Sequence, residues 1–576
     1  MARSGDRFTH LHVNDIRVGG EIGRRIDLTI RRNLLALDID SDFLKPFCER
    51  KRRRDDSNWR SKYVGLGKLI EAASRFAAYE KDDRLTGFKD RLVADTIATQ
   101  LPDGYIGLFR EDGRMSSDYD AHESAYLIQG LISDFGYFGH AASLNAARKL
   151  GDFVMRGWHA NPEADKLCRI GLDTAFLVLH LATGDQKYLD FCTGDMRLAQ
   201  WDWPIEPQLH AKHKIMLSHH AYRFMDRSMA QLLLDRVAPD EKLLVQAHRA
   251  VDFLTHRDGM VVTGTCSLHE KLHDSQEGRG DHAETCATAY MIRLMHRMIC
   301  LEGGSCHGDI MERAIYNALF AAQSPDGRRL RYFTPFEGSR DYFDGDTYCC
   351  PNNFRRIVSE LPQMVYYRFD GGLAVNLYTT SKATVQVGDG LVAAVKQETD
   401  YPNSGRVAIE LCLPEPARFE VRLRIPAWCR GAAVTVDGEP INSAIKPGRF
   451  LAIERDWQRE TMIELDLPMS WRLIRGRRLQ AGRVAVMRGP VVFCCHEPAD
   501  GALTLDPATL DGPTAGHAIR PDGMVALAST RRGNTADEKQ LVLTEFADPD
   551  GRTTYFNLLD LDAAEDDELK HADANP

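Results

Sequence analysis

The chain has no stretch of 18 or more apolar residues, so no segment of it reads as a membrane-spanning helix. Met1 to Glu21 holds no apolar core of the kind a secretory leader needs, and a cytoplasmic protein is the expectation. A basic surplus is missing too. Against 73 Lys and Arg stand 83 Asp and Glu, a net charge of −10, whereas a nucleic-acid binder carries a basic face. The short run Lys51-Arg52-Arg53-Arg54 is followed at once by Asp55-Asp56 and reads as a solvated loop. No Cys-x-x-Cys pair occurs, which excludes the zinc finger and the zinc ribbon. The 13 cysteines are odd in number and scattered, which argues against a disulfide framework and for thiols that serve metal or catalysis.

What is present is an ordinary soluble composition, 43% hydrophobic and 27% charged, over 576 residues. That length exceeds one ordinary core and predicts two to four domains. The chemistry concentrates between Glu284 and Asn353. Glu284-Thr285-Cys286 opens this stretch and Cys349-Cys350-Pro351-Asn352-Asn353 closes it, 63 residues after Cys286. Glu284, Cys286, Cys349 and Cys350 together offer one carboxylate and three thiols. Thiolates suit zinc, which is borderline-soft and takes four N, O or S donors. Only tertiary structure can bring such a spacing together. The alternative is four unrelated residues, since free cysteine is often simply buried.

Residues 30 to about 365 read as helices. Val64–Glu80, Ser143–Arg156, Leu172–Ala182, Ala221–Val237 and Thr285–Leu301 carry apolar residues at a spacing near 3.6. Thr183-Gly184-Asp185, Asp258-Gly259 and Gly303-Gly304-Ser305 punctuate them. Helix hairpins repeated without a strict sequence repeat predict a closed α/α toroid rather than a solenoid. Near residue 370 the period changes to two. Phe419, Val421, Leu423 and Ile425 alternate with Glu420, Arg422 and Arg424, as in a half-buried antiparallel strand. Val434-Thr435-Val436-Asp437-Gly438 adds a hairpin signal, and the pattern predicts a β-sandwich. The expected division is a segment 1–29 that lends strands to the sandwich, a helical domain 30–369 and a β region 370–576. Residues 500–535 read as loop or strand fragments, and the acidic end from Ala563 to Pro576 is expected to fray.

These motifs resemble glycoside hydrolase family 127, the β-L-arabinofuranosidases and their relatives. The resemblance rests on Glu284-Thr285-Cys286 and Cys349-Cys350-Pro351, on Asp309-x-x-Glu312-Arg313-x-x-Tyr316-Asn317, and on Thr334-Pro335-Phe336-Glu337-Gly338. Tyr401-Pro402, Leu423-Arg424-Ile425-Pro426-Ala427-Trp428 and Gly482 to Pro490 extend it over roughly residues 10 to 500. It implies an (α/α)6 barrel followed by β-sandwich domains. It further implies one zinc on Glu284, Cys286, Cys349 and Cys350, with Cys349 as nucleophile. A zinc-held thiolate attacking an anomeric carbon would be retaining chemistry with sulfur in place of the usual carboxylate. The alternative on the residues themselves is a closed structural site with every thiolate quenched.

Retention also needs an acid/base, and Glu270, in the loop after Thr263-Gly264, resembles the family's position. Glu277 stands in the same loop as the alternative. Glu312 and His220 resemble residues that contact the sugar, while an i, i+4 charge partner is the alternative for Glu312 and a satisfied histidine for His220. His122 and Tyr126 lie where the family keeps another sugar contact, and Tyr290 reads as core. The implied partner is a β-linked L-arabinofuranoside or related oligosaccharide, imported and short if no leader exists, with no nucleic acid or membrane and with a homodimer left open. Three rivals stand beside this reading: a toroid glycosidase on another sugar such as an acid sugar, a non-catalytic zinc-stabilised carbohydrate-binding protein, and a sugar isomerase or epimerase working through His and Glu.

Overall fold

The computed structural model describes residues 5–167, 170–206, 220–388, 390–498, 500, 503–516, 523–532 and 538–570. Six helices close a ring. Leu66–Glu80 packs on Asp118–Phe138, which packs on Leu172–Thr183, then Ala221–Val237, Thr285–Glu302 and Cys349–Glu360, which returns to Leu66–Glu80. A second set lies outside them: Gly20–Leu28, Asp83–Ala98, Ala141–Ala160, Gln186–Asp190, Val245–His256 and Ser305–Ala314. The chain is thus an (α/α)6 barrel followed by β-rich domains.

Residue patterning decides which helix goes inside. Leu66–Glu80 buries 14 of its 15 residues. Asp83–Ala98 buries 5 of 16, namely Leu85, Lys89, Leu92, Val93 and Thr96, one stripe at helical spacing. The outer helix starts where the Asp82 carboxylate accepts the Leu85 N–H at 2.9 Å. The first two inner helices approach closely because both carry glycine at the crossing. A Cβ on Gly67 would sit 2.0 Å from the Tyr126 carbonyl carbon, and one on Gly130 would sit 2.4 Å from the Gly67 oxygen.

Strands take over at Tyr366. A five-stranded sheet runs in the order Thr9–His10, Tyr366–Phe369, Gly372–Val375, Ala417–Ile425, Arg449–Trp457. A seven-stranded sheet accompanies it and ends on Ile16–Val18, which pairs with Ser381–Gln386. The alternation of buried and exposed residues along Ser381–Gln386 and Glu460–Asp466 reflects one face on the core and one in solvent. Asp437 and Gly438, both with positive φ, turn Ala433–Val436 onto Glu439–Pro440. A third sheet, Trp471 to Leu558, curls until Tyr555–Leu558 pairs with Arg483–Arg488.

Two sequence expectations change here. Residues 503–516 and 523–532 are long paired strands rather than fragments. The acidic end does not fray over its described part. Arg313 on the barrel donates to Asp567 at 2.8 Å and also bonds Glu568, while Arg472 donates to Glu568 at 2.7 Å. Buried cations hold these acids. Residues 571–576 lie outside the described part.

Candidate active site

Two neighbouring inner helices present the four expected donors at their N-termini. Glu284 immediately precedes Thr285–Glu302, with Cys286 in its first turn. Cys349 and Cys350 begin Cys349–Glu360, and Pro351 sits in that first turn, where its missing N–H costs nothing. Helix N-termini favour anionic thiolates. One ligand atom from each of Glu284, Cys286, Cys349 and Cys350 lies within 4.8 Å of the others. The Cys286 and Cys350 sulfurs are 3.2 Å apart, and Cys350 Sγ is 3.6 Å from Glu284 Oε1. Asn353 Nδ2 donates to the Cys286 sulfur at 3.1 Å.

The backbone is forced to make this arrangement. Tyr348 has φ 88° and ψ 178°, a conformation natural to glycine. Its N–H is held by the Val64 carbonyl at 2.9 Å and its carbonyl by Asn352 Nδ2 at 2.8 Å. Ser267, His269, Glu270, Gln276 and Ala283 also have positive φ, so the loop leading to Glu284 is unusually contorted.

Glu284, Cys286 and Cys350 are fully buried, and Cys349 retains 8% exposure. Burial raises Glu284 well above the usual carboxylate range, with the charges of Glu270 and Cys349 adding to it. Burial likewise raises Cys286 and Cys350. Cys349 goes the other way. Burial opposes its ionisation, but hydrogen bonds from Cys286 and Cys350, the Lys68 ammonium and the Tyr332 hydroxyl hold it well below an ordinary thiol. Glu284 Oε2 is buried without a hydrogen-bond partner among the described residues. An orphaned carboxylate oxygen beside three clustered thiols is a donor set that suits a thiophilic divalent ion.

Glu270 joins this cluster. Tyr332 donates to Glu270 Oε1 at 2.5 Å, and the same hydroxyl is 3.8 Å from Cys349 Sγ. His220 Nε2 lies 3.5 Å from Glu270 Oε2, and its Nδ1 is buried without a partner among the described residues. Glu277 is spent on its own turn, where it accepts the N–H groups of Gly278 and Arg279. The structure therefore brings Glu270 to the thiols, and not Glu277.

Glu312 is elsewhere. It accepts from Tyr401 at 2.8 Å, Arg424 at 2.6 Å and Trp428 at 3.4 Å, in the seam between Ser305–Ala314 and the five-stranded sheet. Both its oxygens are taken and it is 1% exposed, so no sugar contact is kept for it. His122, Tyr126 and Tyr290 form a polar network. Tyr126 is 2.6 Å from both the Tyr222 and Tyr290 hydroxyls, and His122 Nε2 is 3.3 Å from Tyr222. Over this network lies Lys68, whose ammonium stands 4.3 Å from the Tyr126 ring centre and 4.9 Å from that of Tyr222. Sequence reasoning missed Lys68 and Tyr332. No motif marks either, although a lysine among apolar inner-helix positions is itself a signal.

Comparison with known proteins decides the family. Residues 43–363 match the β-L-arabinofuranosidase GH127 catalytic domain, and residues 372–469 match the GH127 middle domain. The chain belongs to the GH127 family. It is a glycoside hydrolase. A non-reducing end β-L-arabinofuranosidase of Bifidobacterium longum subsp. longum is 26% identical, over 85% of this chain and 83% of its own length. Among solved structures, a GH127 β-arabinofuranosidase superposes with a TM-score of 0.80 at 22% identity, covering 97% of this chain and 99% of its own. A GH127 β-L-arabinofuranosidase from Geobacillus stearothermophilus T6 gives 0.79 at 22%, covering 94% and 100%. At this identity the two structures speak for the fold alone. No helix among the described residues is long and apolar enough to cross a membrane.

Proposed function

We propose that this GH127 hydrolase releases L-arabinofuranose from β-L-arabinofuranosides with retention, using Cys349 as nucleophile and Glu270 as acid/base. The glycone follows from the family and from the activity named for the Bifidobacterium relative. One geometric observation carries the mechanism. The two distances from the Tyr332 hydroxyl sum to 6.3 Å, so Cys349 Sγ and Glu270 Oε1 lie no further apart than that. Inverting pairs need about 6.5–9.5 Å to admit a water between them, while retaining pairs sit at about 5–5.5 Å.

Zinc is the metal this reading assigns to Glu284, Cys286, Cys349 and Cys350; when bound it would strip the thiol protons and hold thiolates at neutral pH. In the first step the Cys349 sulfur attacks the anomeric carbon. The glycosidic C–O bond breaks as Glu270 gives its proton to the departing oxygen. The result is a glycosyl-cysteine and a Glu270 carboxylate. Glu270 then takes a proton from a water whose oxygen attacks the same carbon, and the C–S bond breaks to return the Cys349 thiolate. Two inversions restore the starting configuration. His220, whose buried Nδ1 has no partner among the described residues, is assigned a sugar hydroxyl. The division of the chain into 1–29, 30–369 and 370–576 belongs to the same reading.

The test is Glu270→Ala assayed on a panel of nitrophenyl pentosides and hexosides. Turnover should fall least with activated leaving groups, and azide should rescue it to give a glycosyl azide of unchanged anomeric configuration. Azide rescue with inversion would reverse the reading.

A further inference from the structure

Resting on the assignment of zinc to Glu284, Cys286, Cys349 and Cys350, we propose that Asn353 is a positioning residue that fixes Cys286 as a permanent ligand and leaves Cys349 as the thiolate free to attack. Asn353 ends the Cys349-Cys350-Pro351-Asn352-Asn353 stretch, yet the mechanism above gives it no part. It lies one helical turn past the adjacent cysteines on Cys349–Glu360 and reaches across to the neighbouring helix Thr285–Glu302. There its Nδ2 donates to the Cys286 sulfur at 3.1 Å. Both side chains are buried, so bulk water does not compete for this contact.

The surrounding network dictates which end of the amide meets the sulfur. Arg356 Nη1 donates to Asn353 Oδ1 at 3.1 Å. A guanidinium can only donate, so it must face the amide oxygen, and the amide N–H is turned toward Cys286. Arg356 is itself held. Its Nε donates to Glu71 Oε2 at 2.8 Å, and its Nη2 lies 2.7 Å from the same oxygen. Its Nη1 also donates to the Tyr290 hydroxyl at 3.0 Å, one turn past Cys286. Glu71, Tyr290 and Arg356 are all buried. Three inner helices, Leu66–Glu80, Thr285–Glu302 and Cys349–Glu360, thus aim one N–H at one sulfur.

A sulfur that accepts an N–H bond has a lone pair engaged and part of its negative charge dispersed. It is the poorer nucleophile and the better-oriented ligand. Three thiolates and a carboxylate around one divalent ion repel each other, and a donor on one sulfur eases that repulsion. Cys349 is treated differently. Among the described residues no N–H donates to its sulfur, and the Tyr332 hydroxyl stands off at 3.8 Å. Cys350 also lacks such a donor, with Cys286 Sγ and Glu284 Oε1 as its neighbours, but it is fully buried while Cys349 keeps some exposure. The thiol with the amide donor is therefore the one assigned to stay on the metal.

The experiment measures zinc affinity by chelator competition in wild type, Asn353→Leu and Asn353→Ser. Leucine keeps the branched shape without a donor. Serine leaves a polar atom on the side of Arg356 but is one bond too short to reach the sulfur, and it keeps the test open should Asn353→Leu fold poorly. Zinc should bind about 10- to 100-fold more weakly in each variant. In the cobalt-loaded variants the sulfur-to-metal charge-transfer band should move to longer wavelength, because the sulfur lone pair is no longer stabilised. A role in packing alone would lower the melting temperatures of metal-free and zinc-loaded protein equally and move neither readout. Zinc affinity within about threefold of wild type, with an unmoved band in a folded variant, would overturn the proposal while leaving the metal assignment in place. Wild type that takes up no zinc would strike the metal assignment itself, and the proposal with it.

Discussion

Tyr332→Phe removes one oxygen atom and touches the two groups on which the mechanism rests. The hydroxyl donates to Glu270 at 2.5 Å and faces Cys349 Sγ at 3.8 Å. Burial, reinforced by the charges of Cys349, Cys350, Glu270 and Glu284, raises this phenol well above its usual range, so it stays a donor at every working pH. A hydrogen bond to a charged partner contributes about 1.5–3 kcal/mol. If that bond is made in the transition state and lost in the variant, kcat/KM falls about 10- to 150-fold. The ring keeps its contacts with Phe333 at 4.6 Å and Phe343 at 5.6 Å, so the melting temperature should hold. Steady-state kinetics on the methyl and nitrophenyl arabinosides, with a thermal melt of each protein, measure both effects. A fall of less than threefold in a stable variant would refute the claim that Tyr332 couples nucleophile and acid/base.

Three further outcomes follow from particular contacts. Cys286→Ser and Cys350→Ser should each lose zinc by elemental analysis, because a hard hydroxyl replaces a soft thiolate; full occupancy in both would remove them as ligands. Arg424→Met should destabilise the protein by about 3–5 kcal/mol in urea unfolding, since it strands Asp309 and Glu312, which are 4% and 1% exposed; a loss below 1 kcal/mol would contradict the buried network. His282 has both ring nitrogens unpartnered among the described residues, and burial lowers its pKa from 6.5 to about 3. Its native pKa lies below the unfolded one, so its contribution is complete above pH 6.5 and lost as pH falls toward 3. Wild type should then lose about 1.4 kcal/mol from this group between pH 7.5 and 5.5, and His282→Phe should flatten that slope; an identical slope would contradict it.

The four candidate metal donors and the change of period near residue 370 could be read from the sequence because each rests on local patterns. Adjacent cysteines and a Glu-x-Cys pair stand out whatever surrounds them, and the alternation of Phe419 to Ile425 needs no tertiary information. Long-range partners were not legible. Glu312 meets Arg424 112 residues later, and only the fold turns its carboxylate away from a sugar and into an ion pair. Tyr332 reaches Glu270 across 62 residues from a loop with no periodic signal. The acidic tail looked free because its cations, Arg313 and Arg472, are distant in sequence.

The covalent step is the centre of the account, and trapping it is the most direct measurement. Glu270→Ala mixed with a nitrophenyl arabinofuranoside should accumulate the intermediate, because departure of nitrophenolate needs little protonation while hydrolysis lacks its base. Intact-protein mass spectrometry should then show one added pentose, and peptide mapping should put it on Cys349. A pentose found on Glu270's neighbours Glu277 or Glu284, or on Glu312, or a product of inverted configuration from the wild type, would return Cys349 to a purely structural role.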